Sequence, residues 1–340
     1  MSRPESFREL DAVYAFYNPE STRGMPLKSR LEEEFSDKIG YPPVVFIESP
    51  DPSIEDTDDF YHEIFGDSGK RLGAGFIGGD GSPYFFVRYL QNPNTNVTVS
   101  ETPLWVPGGG SSDNLTHIVT AKKDHVTPEN VLLNGAIEQF YPVKATISPP
   151  ESKKEEINAL TILGFGSTAL SAGELNHPDH RDSWTRRNVP YGDYIVDPFA
   201  AVRGMMKSRI FGVEDAEGRL QEYYELMFIN GPYAARGVLQ APEIKLSGPA
   251  REIDIRRFAH IFHKLIGLRL EPYTPLRVGH NLDHEKQLWF RTLEPLFVQA
   301  DGEHEVFKID NITEPIPADS EVTVGRADRS VRIFANVPNL

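Results

Sequence analysis

The stretch Ser247–Leu270, SGPAREIDIRRFAHIFHKLIGLRL, carries the clearest periodic signal in the chain, and its reading sets the expected fold. Pro249 suits a first helical position, Glu252 and Asp254 suit the positive end of a helix, and Gly267 offers a stop. Ile255, Phe258, Ala259, Phe262, Leu265 and Ile266 recur at helical spacing and make one apolar stripe. Arg256, Arg257, His260 and Lys264 fall on the opposite side, with His263 at the boundary. The spacing predicts a helix over 249–266, packed across a sheet on one side and basic on the other.

Working outward, residues 4–17 and 26–39 read as two short amphipathic helices, and Asp197-Pro198 opens another over 198–208. Strand composition marks 41–47, 83–90, 97–106, 115–121, 157–163 and 237–246, a hairpin turning at Asp215–Gly218, and the tail segments 288–298, 305–309, 322–324 and 331–334. A further short helix starts at Thr127 and reaches about Phe140. The expected class is mixed α+β with substantial antiparallel sheet. Ser148-Pro-Pro-Glu-Ser-Lys-Lys-Glu-Glu156 reads as a linker, dividing an acidic part, 1–150, from a mixed part, 151–340.

Composition restricts the function classes. The 340 residues carry a formal net charge of −15, and 39% of them are hydrophobic. Residues 1–150 hold 22 acids against 12 bases, residues 151–340 hold 28 against 23, so the deficit sits in the first part. Such a surface repels phosphate backbones, which argues against nucleic acid as a partner. With no cysteine there is no disulfide, thiolate zinc site or cysteine nucleophile. The N-terminus lacks the apolar segment of a signal peptide, and no run is apolar enough to span a membrane. The expected location is the cytoplasm, or a particle assembled there, with no membrane partner.

Several glycine-rich stretches imitate nucleotide-binding patterns. Gly73-Ala-Gly75-Phe-Ile-Gly78 matches G-x-G-x-x-G, but Gly79-Asp-Gly-Ser-Pro83 does not read as a helix opening, so the stretch is not expected to meet a pyrophosphate. Gly164-Phe-Gly166-Ser-Thr-Ala169 has a better strand before it, yet no second strand ending in an acid follows. Gly66-Asp-Ser-Gly69-Lys70 has the wrong spacing for a phosphate loop, and Gly108–Ser112 reads as an exposed turn. The acidic run Asp51–Asp59 reads as a solvated loop.

Histidines supply the remaining chemistry. His177, Asp179 and His180 lie within four positions, a spacing that suits a two-histidine, one-carboxylate Fe(II) site or a thiolate-free zinc site. His280 and His284 are the partners for His177 and Asp179 in that reading, with His260 a poorer third ligand. Nearby, Trp184, Arg186, Arg187 and Tyr191 have the composition of an interface hot spot. The basic helix face of Arg256, Arg257, His260 and Lys264 is a second contact candidate. These features lead to the expectation of a non-enzymatic assembly subunit of a larger complex or viral particle, self-associating and needing no cofactor. The alternative expectation is an Fe(II)- or Zn-dependent enzyme.

Overall fold

A computed structural model describes residues 5–336 apart from 20–22, 51–56, 67–68, 79–81, 93–94, 96–98, 100, 110–113, 121–125, 177, 182, 186–191, 208, 224, 231–232, 235–238, 241–249, 256–276, 283–286, 301–307, 310–311 and 314. The chain is mixed α+β, as composition implies, and its contacts form two compact units. Met1–Pro142, Gly231–Gly248 and Asp328–Leu340 make the first; Val143–Asn230 and Pro249–Ala327 make the second.

The first unit is built on β1 (Ala12–Tyr17), β2 (Val44–Glu48), β3 (Leu72–Gly78), β4 (Pro103–Gly109), β5 (Ala136–Phe140) and the returning strand β21 (Val331–Ala335). Their order is β2-β1-β3-β4-β21-β5. All neighbours are parallel except the β21–β5 pair. Helices α1 (Gly24–Ser36), α2 (Thr57–Phe65), α3 (Tyr84–Gln91), α4 (Asn114–Val119) and α5 (Pro128–Asn134) alternate with the strands.

The expected helix over 4–17 is corrected here. Phe7–Glu9 form a single 3-10 turn, and Ala12-Val-Tyr-Ala-Phe-Tyr17 is the strand β1, paired on both sides. β-Branched and aromatic residues buried on both faces favour a central strand over a helix of that length. Phe16 carries the packing on one face. Its ring stacks on Phe76 at 5.3 Å and meets Tyr61 at 5.6 Å and Phe60 at 5.9 Å, while Phe86 of α3 reaches Phe76 at 5.4 Å. This aromatic layer explains why Tyr84–Gln91 is a helix rather than the expected strand. Tyr84, Phe86, Val87, Tyr89 and Leu90 are buried and Arg88 is exposed, a helical period. Likewise 115–119 of the expected strand 115–121 lie in α4.

On the other face Gly73 and Gly75 leave β3 without side chains. A Cβ on Gly75 would lie 2.8 Å from Trp105 Cε3 and 3.3 Å from Ala15 Cα. Trp105 thereby lies over the strand, meets Phe35 of α1 edge-on at 5.8 Å and donates from Nε1 to Pro128 O at 3.0 Å. Helix α1 closely matches the expected 26–39, and its buried Leu31 faces the sheet side.

The second unit is a pair of antiparallel sheets. One runs β10-β9-β16-β20-β6-β7, from β6 (Val143–Ser148), β7 (Glu155–Ala159), β9 (Phe211–Asp215), β10 (Leu220–Tyr223), β16 (Leu288–Thr292) and β20 (Glu321–Arg326). The other runs β15-β14-β11-β8-β17, from β8 (Ile162–Gly166), β11 (Glu225–Ile229), β14 (Ala250–Ile255), β15 (Arg277–Leu282) and β17 (Val298–Ala300). Val143, Ile147, Phe211, Phe290 and Val322 of one sheet share a core with Phe165, Leu226 and Phe228 of the other, and the Phe165 and Phe290 rings are 5.5 Å apart. The short pair β18 (Lys308–Ile309) with β19 (Ile312–Thr313) also belongs here, whereas the pair β12 (Tyr233–Ala234) with β13 (Leu239–Gln240) belongs to the first unit. Within the expected linker 148–156, residues 149–154 form the turn between β6 and β7, and Asp215–Gly218 turns the β9–β10 hairpin as expected.

The opening stretch is the main correction. Ala250-Arg-Glu-Ile-Asp-Ile255 is the strand β14, bonded to β11 on one side and β15 on the other, so no helix begins at Pro249. Within it the alternation of Ile253 and Ile255 with charged neighbours has the strand period, and two flanking ladders favour it. Residues 256–266, the rest of the expected helix, lie outside the described residues. Helix α6 (Ser167–Asn176), the short α7 (Pro178–Arg181) and α8 (Gly192–Lys207) complete the unit, and α8 covers 198–207 of the expected 198–208 while starting six residues earlier.

Two predictions follow from the first unit. Phe16→Ala removes the ring at the centre of the aromatic layer and is expected to cost about 3–5 kcal/mol in denaturant unfolding. At the opposite edge, the Asp11 carboxylate accepts the Arg71 N–H at 2.7 Å, and that bond holds its pKa below the ordinary 3.8. A depressed folded pKa adds stability above the ordinary value, and this is lost as pH falls through the folded value. The unfolding midpoints of wild type and Asp11→Asn should therefore differ at neutral pH and converge on acidification.

Candidate functional site

Four parallel strands end along one edge of the first unit, in the spatial order Glu48, Tyr17, Gly78, Gly109. Each is followed in sequence by a connection and then a helix: 18–23 to α1, 49–56 to α2, 79–83 to α3 and 110–113 to α4. From β1 the chain crosses to β2 on one side, then returns past β1 to β3 on the other. The strand order thus reverses between β1 and β3, and in open parallel sheets this is where ligands sit, beyond the strand ends.

Glycine dominates this edge. Gly78 ends β3, and the space a side chain there would need is taken by Ser82 Oγ, just before α3. Gly108 and Gly109 end β4 with φ of 89° and 107°, conformations that side-chain-bearing residues rarely adopt. A Cβ on Gly109 would lie 3.1 Å from Gly24 Cα and 3.5 Å from Leu27 Cδ2. The start of α1 is therefore seated on the end of β4 by two glycines in mutual contact. A 13-residue helix brings the positive end of its dipole to that point.

Charge nearby is partly basic. Arg23 occupies the N-cap position of α1 with helical backbone angles. Lys28 lies with Nζ 5.0 Å from the Tyr17 ring centroid and 2.6 Å from Glu32. The connections add two carboxylates by sequence, Asp80 between Gly79 and Gly81, and Asp113 just before α4. Glycine strand ends, a helix start and basic side chains make an edge suited to an anionic, phosphate-bearing ligand.

The sequence reading missed this site for a definite reason. Gly73-Ala-Gly75-Phe-Ile-Gly78 was set aside because Gly79–Pro83 does not read as a helix opening, yet it is a buried strand whose chain enters α3 at Tyr84. Gly73 packs against Leu10 and Val13, Gly75 against Trp105 and Ala15, and Gly78 marks the strand end. Gly108–Ser112, read as an exposed turn, begins as the end of β4. The signal available was position: two glycine clusters, each placed between a strand and a helix.

Of the expected site residues, only a few lie among the described ones. Asp179 is exposed on α7, and His280 lies in β15. His177 and His284 lie outside the described residues, as do Arg186, Arg187, Tyr191, Arg256, Arg257, His260 and Lys264. Trp184 is exposed in the second unit. His180 Nε2 bonds Asp197 Oδ1 at 2.9 Å, joining α7 to α8, a contact that orients two helices. Among the described residues no three His, Asp or Glu side chains converge at metal-binding distance. Gly164–Ala169 does join a strand, β8, to a helix, α6, but in an antiparallel sheet. No helix among the described residues is long and apolar enough to cross a membrane.

No family model matches the sequence, and no curated protein matches it. Solved structures do resemble the fold. The chain aligns over 98% of its length with 99% of a candidate diacylglycerol kinase from Bacillus anthracis str. Sterne, at TM-score 0.60 and 13% identity. It aligns over 96% of its length with 98% of a second structure, described as a diacylglycerol kinase from the same organism, at TM-score 0.58 and 13% identity. This finding overturns the expectation of a non-enzymatic structural subunit or viral-particle component, because the whole chain is laid out as proteins described as kinases are. At this identity the likeness is one of architecture, and the chain shares the fold of those proteins.

Proposed function

We propose that the chain is a nucleoside-triphosphate-dependent kinase that transfers a phosphoryl group to a hydroxyl acceptor. The observation that carries this reading is the glycine-built edge where β1, β3 and β4 end, with the start of α1 seated against Gly109. The description of the similar structures as kinases supports it. Phosphoryl transfer depends mainly on positioning and charge stabilisation, so a rigid, side-chain-free phosphate seat supplies much of what the reaction needs.

In this reading the phosphates lie across the ends of β3 and β4, toward the positive end of α1. The absence of Cβ atoms at Gly78 and Gly109 lets backbone come close to them. Arg23 and Lys28 offset their negative charge. By sequence the connections after β3 and β4 supply Asp80 and Asp113, and carboxylates of this type would hold a magnesium ion, which would neutralise charge on the phosphates when bound. The acceptor hydroxyl is assigned to a lipid of the diacylglycerol class, following the description of the similar structures. Nucleoside triphosphates being the donor, the cytoplasm is the compartment we assign.

Two measurements test this reading. Wild-type protein with magnesium and ATP should bind the nucleotide in calorimetry and release ADP when diacylglycerol is added in mixed micelles. Asp80→Asn is expected to lower turnover by on the order of a hundredfold while leaving the unfolding midpoint in place. Folded wild type that binds no nucleotide at millimolar concentration sinks the proposal. Gly109→Val pushes side-chain atoms against Gly24 and should weaken nucleotide binding by about tenfold or more, since even small displacements of a positioned group are costly.

A further inference from the structure

The outer strand of the first unit's sheet has an order of its own. Among the described residues β2 (Val44–Glu48) pairs with β1 alone, so its other side is open. Val13 N–H donates to Pro43 O at 2.9 Å and Ser49 N–H donates to Tyr17 O at 2.8 Å, which fixes the phase of the ladder between them. In a parallel pair, alternate residues turn their N–H and C=O to the neighbour. Val45 and Ile47 therefore bond β1, while Val44, Phe46 and Glu48 turn theirs outward. The next alternate positions are Pro42 and Pro50, equally distant from Phe46, and neither has an N–H. The open ladder is short, bounded at both ends and symmetric about Phe46.

The side chains match that symmetry. Val44-Val-Phe-Ile47 is apolar without interruption, with Val45 39% exposed and Phe46 and Ile47 half-buried. Sheet edges are ordinarily blunted by charge inside the strand, as by Glu138 in β5 and Glu222 in β10. In β2 the one charge is at the end, Glu48, on the same face as Phe46. On that face Lys28 Nζ lies 5.9 Å from the Phe46 ring centroid. Antiparallel pairing of two such strands about Phe46 sets ring beside ring and Val45 opposite Ile47. It also sets Glu48 opposite Val44 of the other strand, next to the Phe46 that carries the other Lys28. Opposite charges then meet on one face and apolar side chains on the other.

We infer that β2 pairs antiparallel with β2 of a second copy of the chain, about a two-fold axis at Phe46. Phe46 then exchanges both backbone bonds with its counterpart, and Val44 exchanges both with Glu48 of the second copy. A contact of this kind uses the same surface on both copies, closes on itself and leaves neither β2 open. The strand is distinct from the expected contact candidates at Trp184–Tyr191 and Arg256–Lys264. The inference stands apart from the kinase reading, since it concerns assembly and not turnover.

Sedimentation equilibrium of the full chain tests it. Wild type should pass from 38.2 kDa to twice that mass as its concentration rises. Val44→Glu sets a carboxylate opposite Glu48 of the second copy, twice in each dimer, and should weaken association by about tenfold or more. Val44→Lys loses the same apolar contact but faces Glu48 with opposite charge, so it should associate about tenfold more tightly than Val44→Glu. Wild type that stays at 38.2 kDa overturns the inference and leaves the β2 edge to an extended segment of a different protein. A dimer that Val44→Glu leaves intact would also overturn it, placing the contact elsewhere on the chain. Equal weakening by Val44→Glu and Val44→Lys would overturn the pairing about Phe46. ATP binding measured on the same samples distinguishes failure here from failure of the kinase reading.

Discussion

The first unit depends on the approach of Trp105 to the backbone of β3. That approach is possible because Gly75 has no side chain: a single Cβ would meet the indole at 2.8 Å. With β3 bare on this face, Trp105 fills the space, and α1 and α5 close over it through Phe35 and the Pro128 carbonyl. The other face is then free to carry the bulk, and Phe16, Phe76, Tyr61 and Phe86 supply it. The asymmetry fixes which helices lie on which side of the sheet.

The same packing places the candidate site. Once α1 is held against β3 and β4, its first residue meets the end of β4, where Gly109 accepts Gly24. The strand order reverses between β1 and β3, so two crossovers leave in opposite directions and the edge between them is open to ligand. Glycines at the strand ends and the helix start bring backbone donors and a positive dipole to one edge. The layout suits an anionic group before any individual side chain is considered.

The second unit answers to a different constraint. Two antiparallel sheets share one apolar core, and sequence neighbours in the ladders determine what each segment can become. Ala250–Ile255 illustrates it: the residues are compatible with a helix start, yet β11 and β15 offer bonding ladders on both sides. Propensity is a weak preference beside two satisfied ladders. Helices α6 and α8 stack by small residues, Gly204 foremost, and this turns the larger side chains of α8 outward.

By itself the sequence determined the mixed class, the absence of thiol chemistry, helices over 26–39 and 198–208, whose observed bounds are 24–36 and 192–207, and the β9–β10 hairpin, because these rest on composition, capping and local turn chemistry. Short apolar runs misled, since Ala12–Tyr17, read within a helix, and Tyr84–Leu90, read within a strand, are both rich in aromatics and differ in what packs on them. Tertiary structure alone decided that the first is a central strand and the second a helix covering it. It also decided the site. Gly78 and Gly109 lie 31 positions apart in the chain yet are direct ladder partners, and the glycine edge exists only once β3 and β4 pair in register. A linear pattern of glycines specifies close approach, but what approaches is set by the folded neighbours.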